Sequence, residues 1–364
     1  MGSFIQSFMT LVVISILIIV HEWGHFIAAR KLGIHVEKFS IGFGKKIFSR
    51  VHNGTEYKLC LIPLGGYVKM AGDERGACEG KPTEFYSHPI GHRAIIIAMG
   101  SLINYVFAFL CFYFISATGF PVLAPVVGEV QEGKPAQIAG IQKDDVILEV
   151  SGQKVKSWKD LQTLVRSTEG NLTVMVSRDN KVNSINIRPE ISEVPDIYNK
   201  KQQVRVIGII PRGDFTLVRY GIFGSLLKAA KEVVMIPVMT FKVLYRVIVG
   251  AMPAKGAVGG PILIMVVIKQ AFELGLAHVF YIMGVISASL AVINMFPLPV
   301  LDGGHLLFLA MEKIRGRPLS VNVEETLTKA GIAFFIMLGL FIIYNDISQL
   351  AIFQHIQSFF MKFK

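Results

Sequence analysis

The sequence predicts a polytopic α-helical membrane protein: four transmembrane helices, a membrane-associated β-hairpin or sheet, and one inserted α+β module. Three observations carry that expectation. The 364 residues are 52% hydrophobic with a mean hydropathy of +0.53, far too apolar for an ordinary soluble chain. Uncharged runs recur at residues 4–20, 94–118, 279–301 and 330–345. Between the second and third, residues 122–190 switch to short β-branched runs punctuated by glycine and polar turns, the pattern of a folded module in water.

The first run continues directly into His21-Glu22-Trp23-Gly24-His25. As a helix, Phe4 to Ala29 is about 39 Å long, against a hydrocarbon core of about 30 Å. The H-E-x-x-H pattern therefore falls at membrane depth, where ionisable groups are costly and functional by default. Positions four apart share a helix face, so His21 and His25 can reach one metal ion. Two imidazoles suit Zn²⁺, and a hydrolytic zinc needs a third protein ligand plus an open place for water, whose pKa it lowers to about 7. Glu22 is placed to take the proton from that water.

The third uncharged run leads through Asn294-Met295-Phe296-Pro297-Leu298-Pro299-Val300-Leu301 to Asp302-Gly303-Gly304. Pro297 and Pro299 remove two backbone donors, so the helix must loosen there. Asp302, closing this span, is the candidate third ligand; the plainer reading is a helix C-cap followed by a polar turn. Asn294 reads as a contact to substrate backbone or to a tetrahedral oxyanion, against a plain packing role. His305 is left out of the ligand set, because a fourth protein ligand would close the open position.

The segments in order are a first span over 1–30, a loop with a hairpin over 31–93, and a second span over 94–118. The inserted module covers 122–190. A linker with interfacial amphipathic helices follows over 191–278, then a third span over 279–304, a loop over 305–329, a short last span over 330–346 and a tail over 347–364. Arg30 to Arg93 holds eleven Lys and Arg against six acids, so the positive-inside rule puts this loop in the cytoplasm and both termini and the module outside. In the loop, Val36–Ile41, Lys46–His52 and Thr55–Ile62 read as strands, Asn53-Gly54 as a hairpin turn, and Gly42-Phe43-Gly44 and Gly65-Gly66-Tyr67 as bends. The hairpin is either a surface feature or an edge that pairs with an extended substrate. Asn104, the strongly polar side chain of the second span, reads as a helix–helix hydrogen bond.

The net charge of +11 is spread over loops without an arginine-rich block, so it points to anionic lipid and not to nucleic acid. Cys60, Cys78 and Cys111 have no metal or disulfide spacing. The N-terminus lacks a basic n-region, so no cleaved signal peptide is expected.

Taken together, H-E-W-G-H on the first helix and N-M-F-P-L-P-V-L-D-G-G-H on a later one resemble the site-2 protease family of intramembrane zinc metalloproteases, and within it the bacterial regulator-of-sigma-E protease branch. The resemblance implies cleavage of single-span membrane proteins, such as anti-sigma factors or remnant signal peptides, in the bacterial inner membrane. It implies a membrane-re-entrant β-sheet in the first loop, in which Gly42-Phe43-Gly44 is similar to a substrate-binding turn. Pro135 to Ile141, Lys143 to Ile147 and Ser151-Gly152 resemble the PDZ signature, so the module either binds a peptide or C-terminus or filters by size. Gly259-Gly260-Pro261 also matches a family signature. The chain departs from the pattern in having one such module instead of two, Ser101 where proline is usual, and Ser289 where a second asparagine is common.

Two other classes fit parts of this chain. A membrane PDZ adaptor without catalysis leaves the complete H-E-x-x-H and its matching Asp unexplained. A proton-coupled transporter would need related halves, and no internal repeat is visible.

Overall fold

The computed structural model describes residues 3–195, 201–252 and 259–361. Two compact units emerge: Met1–Ile115 together with Leu226–Lys364, and Ser116–Ser225. In the first unit, α1 (Ser3–Lys31) is followed by β1 (Val36–His52), β2 (Thr55–Met70) and α2 (Ile90–Thr118). Helix α1 stops at Gly33, whose φ of +82° is the left-handed C-cap that glycine adopts most easily. Arg30 and Lys31 in its last turn complement the helix dipole.

Strands β1 and β2 meet at the expected turn, with Asn53 and Gly54 both at positive φ, the type I′ geometry of a two-residue hairpin. The strands are longer than the sequence suggested because each bends and continues. Lys38–Ile41 pairs with Glu56–Leu59 on one side and Gly66–Lys69 on the other, while Phe48–His52 pairs with Thr55–Leu59. Four segments thus lie side by side, and Gly66–Met70 forms one edge. The bend in β1 is made by Gly42 and Gly44, both at φ +85°. A side chain on Gly42 would also press on the Ile62 carbonyl, 2.5 Å from the position its Cβ would take.

The second unit holds β3 (Phe120–Leu123), β4 (Val127–Val130), α3 (Pro135–Ile138), β5 (Val146–Val150), β6 (Gln153–Lys154), α4 (Trp158–Ser167), β7 (Leu172–Arg178) and β8 (Lys181–Ile187). It continues with β9 (Glu190–Pro195), β10 (Lys201–Val206), β11 (Ile209–Pro211) and β12 (Phe215–Val218). A sheet of order β6-β5-β7-β8 carries α4, whose Ser157 cap accepts from the Asp160 amide. Between them Ile147, Val150, Leu161, Leu172, Val174 and Val176 are wholly buried or nearly so. Each such side chain contributes roughly 1.5–3 kcal/mol by leaving water. The fully buried Asp145 is matched by a two-pronged Arg178, with both N–O distances 2.7 Å.

Residues 191–195 and 201–220, expected as linker, instead belong to this unit: β11 pairs with β4 and β12 with β3. Their partners lie roughly eighty to a hundred residues upstream, and periodicity within a short window carries no trace of such pairing.

The remaining helices are α5 (Ile222–Ile248), α6 (Pro261–Leu274), α7 (Leu276–Asn294), α8 (Asp302–Arg315) and α9 (Val321–Met361). Helix α6 packs into the bundle, where Ile268 and Ala271 join Val13, Leu17, Cys111, Val279 and Met283 in one core. One expectation needs correction here. The final span is not short, since α9 begins well before Ala330. Among the described residues, four helices are long and apolar enough to cross a membrane: Phe8–Lys31, Ile90–Thr118, Leu276–Asn294 and Val321–Ser348. The bundle core is held by packing, for lipid offers no hydrophobic drive between helices. Gly24 of α1 meets Met99 and Gly100 of α2 so closely that neither glycine has room for a Cβ.

Candidate metal centre

Helix α1 sets His21 and His25 one turn apart on a single face, their rings edge to face with centroids 4.8 Å apart. The third donor arrives by a change of direction. Helix α7 ends at Asn294, residues 295–301 form a turn around Pro297 and Pro299, and Asp302 opens α8. The sequence expectation had Asp302 closing a span running to Leu301. Instead the prolines end the helix seven residues earlier, and the carboxylate sits on the first turn of a new one. Gly303 and Gly304 are required there, since any Cβ would collide with the carbonyls of Met295, Phe296 and Leu298. Val300 takes a φ of +92°, costly for a β-branched residue, so the turn is held tightly by its surroundings.

The donor groups lie close together, one ligand atom from each within 4.8 Å of the others. His21 Nε2 and His25 Nε2 are 3.2 Å apart. Asp302 Oδ2 is 3.4 Å from the first and Oδ1 is 3.6 Å from the second. Tetrahedral zinc with N and O ligands at 2.0–2.1 Å separates its donors by about 3.3 Å, so these residues fit the ion. Side-chain exposures of 12% for each histidine and 15% for Asp302 leave a side open for a fourth ligand. Among the described residues, this is the one cluster of three or more His, Cys, Asp or Glu able to hold a metal ion.

Neighbouring groups orient the donors. His25 Nδ1 lies 2.9 Å from the Ile96 carbonyl and must donate to it, which leaves Nε2 as a lone pair facing the ion. His21 is flanked by two amides, with Asn104 Nδ2 at 3.4 Å from Nδ1 and Asn294 Nδ2 at 3.3 Å from Nε2. Asn104 is fully buried and its Oδ1 has no partner. The Gly100 backbone is a further hydrogen-bond partner of the His21 ring. Ser101 Oγ stands 3.5 Å from Asp302 Oδ2.

Glu22 is directed toward the sheet. A Cβ on Gly66 would lie 3.6 Å from Glu22 Cγ, and the Val68 backbone amide hydrogen-bonds the Glu22 carboxyl. The general-base candidate thus lies beside the outer edge Gly66–Met70 of the sheet. Gly42, Phe43 and Gly44 are not brought to the metal triad. Phe43 is half exposed and stacks on Tyr67 of that edge, with centroids 6.1 Å apart and planes 17° apart. The sequence reading offered a substrate-pairing edge in this loop but took Gly65-Gly66-Tyr67 for a bend, and it assigned Asn104 to a helix–helix hydrogen bond. The signal for Gly66 was present as a Gly-Gly bend, but nothing local said which sheet segment would border Glu22.

A long-helix bundle bearing H-E-x-x-H and a distant Asp on one triangle defines a membrane-embedded zinc metallopeptidase. Residues 9–338 match the profile of Peptidase family M50, and the chain belongs to that family, the site-2-type zinc metalloproteases. Its relatives make this more particular. A Campylobacter jejuni protein named as a zinc metalloprotease, Cj1068, is 34% identical over 350 residues, covering 95% of this chain and 94% of its own. The regulator of sigma-E protease RseP of Salmonella typhimurium is 29% identical over 445 residues, covering 93% and 98%. Among solved structures, the PDZ domain of the SdrC-like protein Lin2157 from Listeria innocua covers 24% of this chain and 92% of its own, at 24% identity and a TM-score of 0.20.

Proposed function

We propose that this chain hydrolyses peptide bonds within or beside the transmembrane segments of single-span membrane proteins, in the bacterial inner membrane. The observation that carries the reading is the cluster of His21, His25 and Asp302, with both histidines on a helix long enough to span and the carboxylate eight residues beyond the end of another. His21, His25 and Asp302 hold Zn²⁺. Bound there, the ion makes water acidic enough to ionise near neutral pH and draws charge from the scissile carbonyl.

The chain's own residues do the remainder. Glu22 takes the proton of the attacking water and returns it to the leaving amine. The Asn294 amide, at the end of α7, donates to the carbonyl oxygen as charge develops on it. A peptide bond inside a helix is shielded, so the substrate must be drawn out. The edge Gly66–Met70 runs beside Glu22, whose carboxyl holds the Val68 amide, and an extended segment that takes over that amide can join the edge as an added strand. Gly42-Phe43-Gly44 shapes that edge through the Phe43–Tyr67 stack.

The basic loop over 31–93 orients the protein with that loop in the cytoplasm, and with both termini and the second unit on the periplasmic side. The second unit is a PDZ domain that receives a peptide end or limits the size of what approaches. Anti-sigma factors and remnant signal peptides are the substrate classes in view, and relatedness to RseP supports the first. The test is cleavage of a co-expressed single-span substrate by wild type and by Glu22→Gln, with and without a zinc chelator. Cleavage is expected only from the untreated wild type. Equal function of Glu22→Gln would favour the adaptor reading instead.

A further inference from the structure

At the far end of α8 from Asp302, a cluster of charges joins four parts of the first unit. Arg93 near the start of α2 is buried and forks onto Glu312 of α8, with NH2 to Oε1 at 2.6 Å and NH1 to Oε2 at 3.1 Å. Arg75 NH2 reaches the same Oε2 at 3.1 Å, while its NH1 donates to the Leu319 carbonyl at 2.8 Å. The Tyr86 ring lies between the two guanidinium groups, 4.7 Å and 5.4 Å from its centroid. Its hydroxyl reaches Glu324 of α9. Glu312 is the one carboxylate in this cluster that both arginines address.

The spacing ties this cluster to the metal centre. On α2, Arg93 and Gly100 are seven residues apart, two helical turns and about 10 Å along one face. Gly100 packs directly against both imidazoles, and Ser101 touches Asp302. On α8, Asp302 and Glu312 are ten residues apart, about 15 Å in the opposite direction. Helices α2 and α8 therefore meet at two levels, the metal centre and the Arg93–Glu312 fork. The turn over 295–301 and the close packing of Gly303 and Gly304 fix the first turn of α8, and the distal fork supplies a second fixed point that sets its tilt against α2. A small rotation of α8 about its first turn would carry the carboxylate off the triangle.

We propose that Glu312, gripped by Arg93 and Arg75, is a positioning residue for the third zinc ligand, setting the angle at which α8 delivers Asp302 to His21 and His25. This rests on the zinc-site reading above. The test is zinc affinity of the full-length protein in detergent, read by competition with a chelator of known affinity, beside cleavage of a single-span substrate. Glu312→Gln is expected to weaken zinc binding about tenfold, the low end of what losing a group that supports a metal ligand costs. Excess zinc should restore most of its cleavage. The double variant Arg93→Glu with Glu312→Arg should recover affinity relative to either single change. Wild-type zinc affinity in folded Glu312→Gln would overturn the inference, whatever happens to thermal stability. If that variant does not fold, Arg93→Lys decides by the same criterion, since it keeps the charge but not the fork. A wild type that takes up no zinc would remove the underlying reading, whereas zinc uptake with no shift in the variants removes this inference alone.

Discussion

Single atoms decide the metal centre. Gly100 has no side chain because both imidazoles occupy the place where one would be. Gly100→Ala is expected to lower zinc affinity by about 10–100-fold while the helix itself tolerates alanine well; metal titration of the purified variant checks this, and unchanged affinity would contradict it. Glu312 offers a pH test away from the spans. Its hydrogen bond to Arg93 holds its carboxyl below the usual carboxylate range, against the opposing effect of burial. A depressed folded pKa gives stability that is present above the ordinary carboxylate value and lost as pH falls through the folded one. Thermal unfolding should therefore show a decline in acid, below about pH 4, that Glu312→Gln flattens. The two histidines, Glu22 and Asp302 were legible in the sequence because their spacing and setting are unusual. Asn104 and Gly100 were visible as residues but not as neighbours of His21, since that contact depends on how α1 and α2 cross.

Among the elements, the turn over 295–301 and helix α6 show where sequence reasoning stops. Pro297 and Pro299 announced a broken helix, yet not that Asp302 would begin another. Asp302 has the look of a terminal residue either way, and only the collision of Gly303 and Gly304 with the preceding carbonyls distinguishes the two. The Asn53-Gly54 turn and the bend at Gly42 and Gly44 were legible because their backbone angles demand those residues. The anchor of helix α6 lies too far along the chain for any local pattern to show it. Asp346 of α9 is fully buried and accepts from the amides of Gly260, Ile262 and Leu263 at 2.9, 3.1 and 3.2 Å. It thus caps α6 from another helix, and gives Gly259-Gly260-Pro261 a structural meaning: Gly260 has no space for a Cβ beside the carboxylate. Asp346→Ala would strand those buried donors and is expected to destabilise the protein by about 1–3 kcal/mol. Asp346→Asn, which keeps one acceptor, should cost less. Thermal unfolding in detergent separates them, and equal effects would count against the cap.

The molecule as a whole divides its labour between two units with different physics. The bundle relies on close packing and buried polar contacts, whereas the second unit has a core of the kind that water builds. Leu161→Ala, in that core, is expected to destabilise the second unit by about 2–5 kcal/mol and to leave zinc affinity at the wild-type value. Limited proteolysis and chelator competition on the same sample test both halves, and a loss of zinc would show the units to be coupled. The four apolar helices and the inserted unit were readable from hydropathy and turn residues alone. The extent of that unit was not, because β11 and β12 are defined by partners far upstream.

The most direct measurement of the central claim is X-ray absorption at the zinc edge on the purified full-length protein, wild type beside Asp302→Ala. One zinc per chain with two imidazole nitrogens and a carboxylate oxygen at about 2.0–2.2 Å, and loss of that oxygen in the variant, is the result expected. A wild type without zinc, or a coordination shell that Asp302→Ala leaves unchanged, would contradict it.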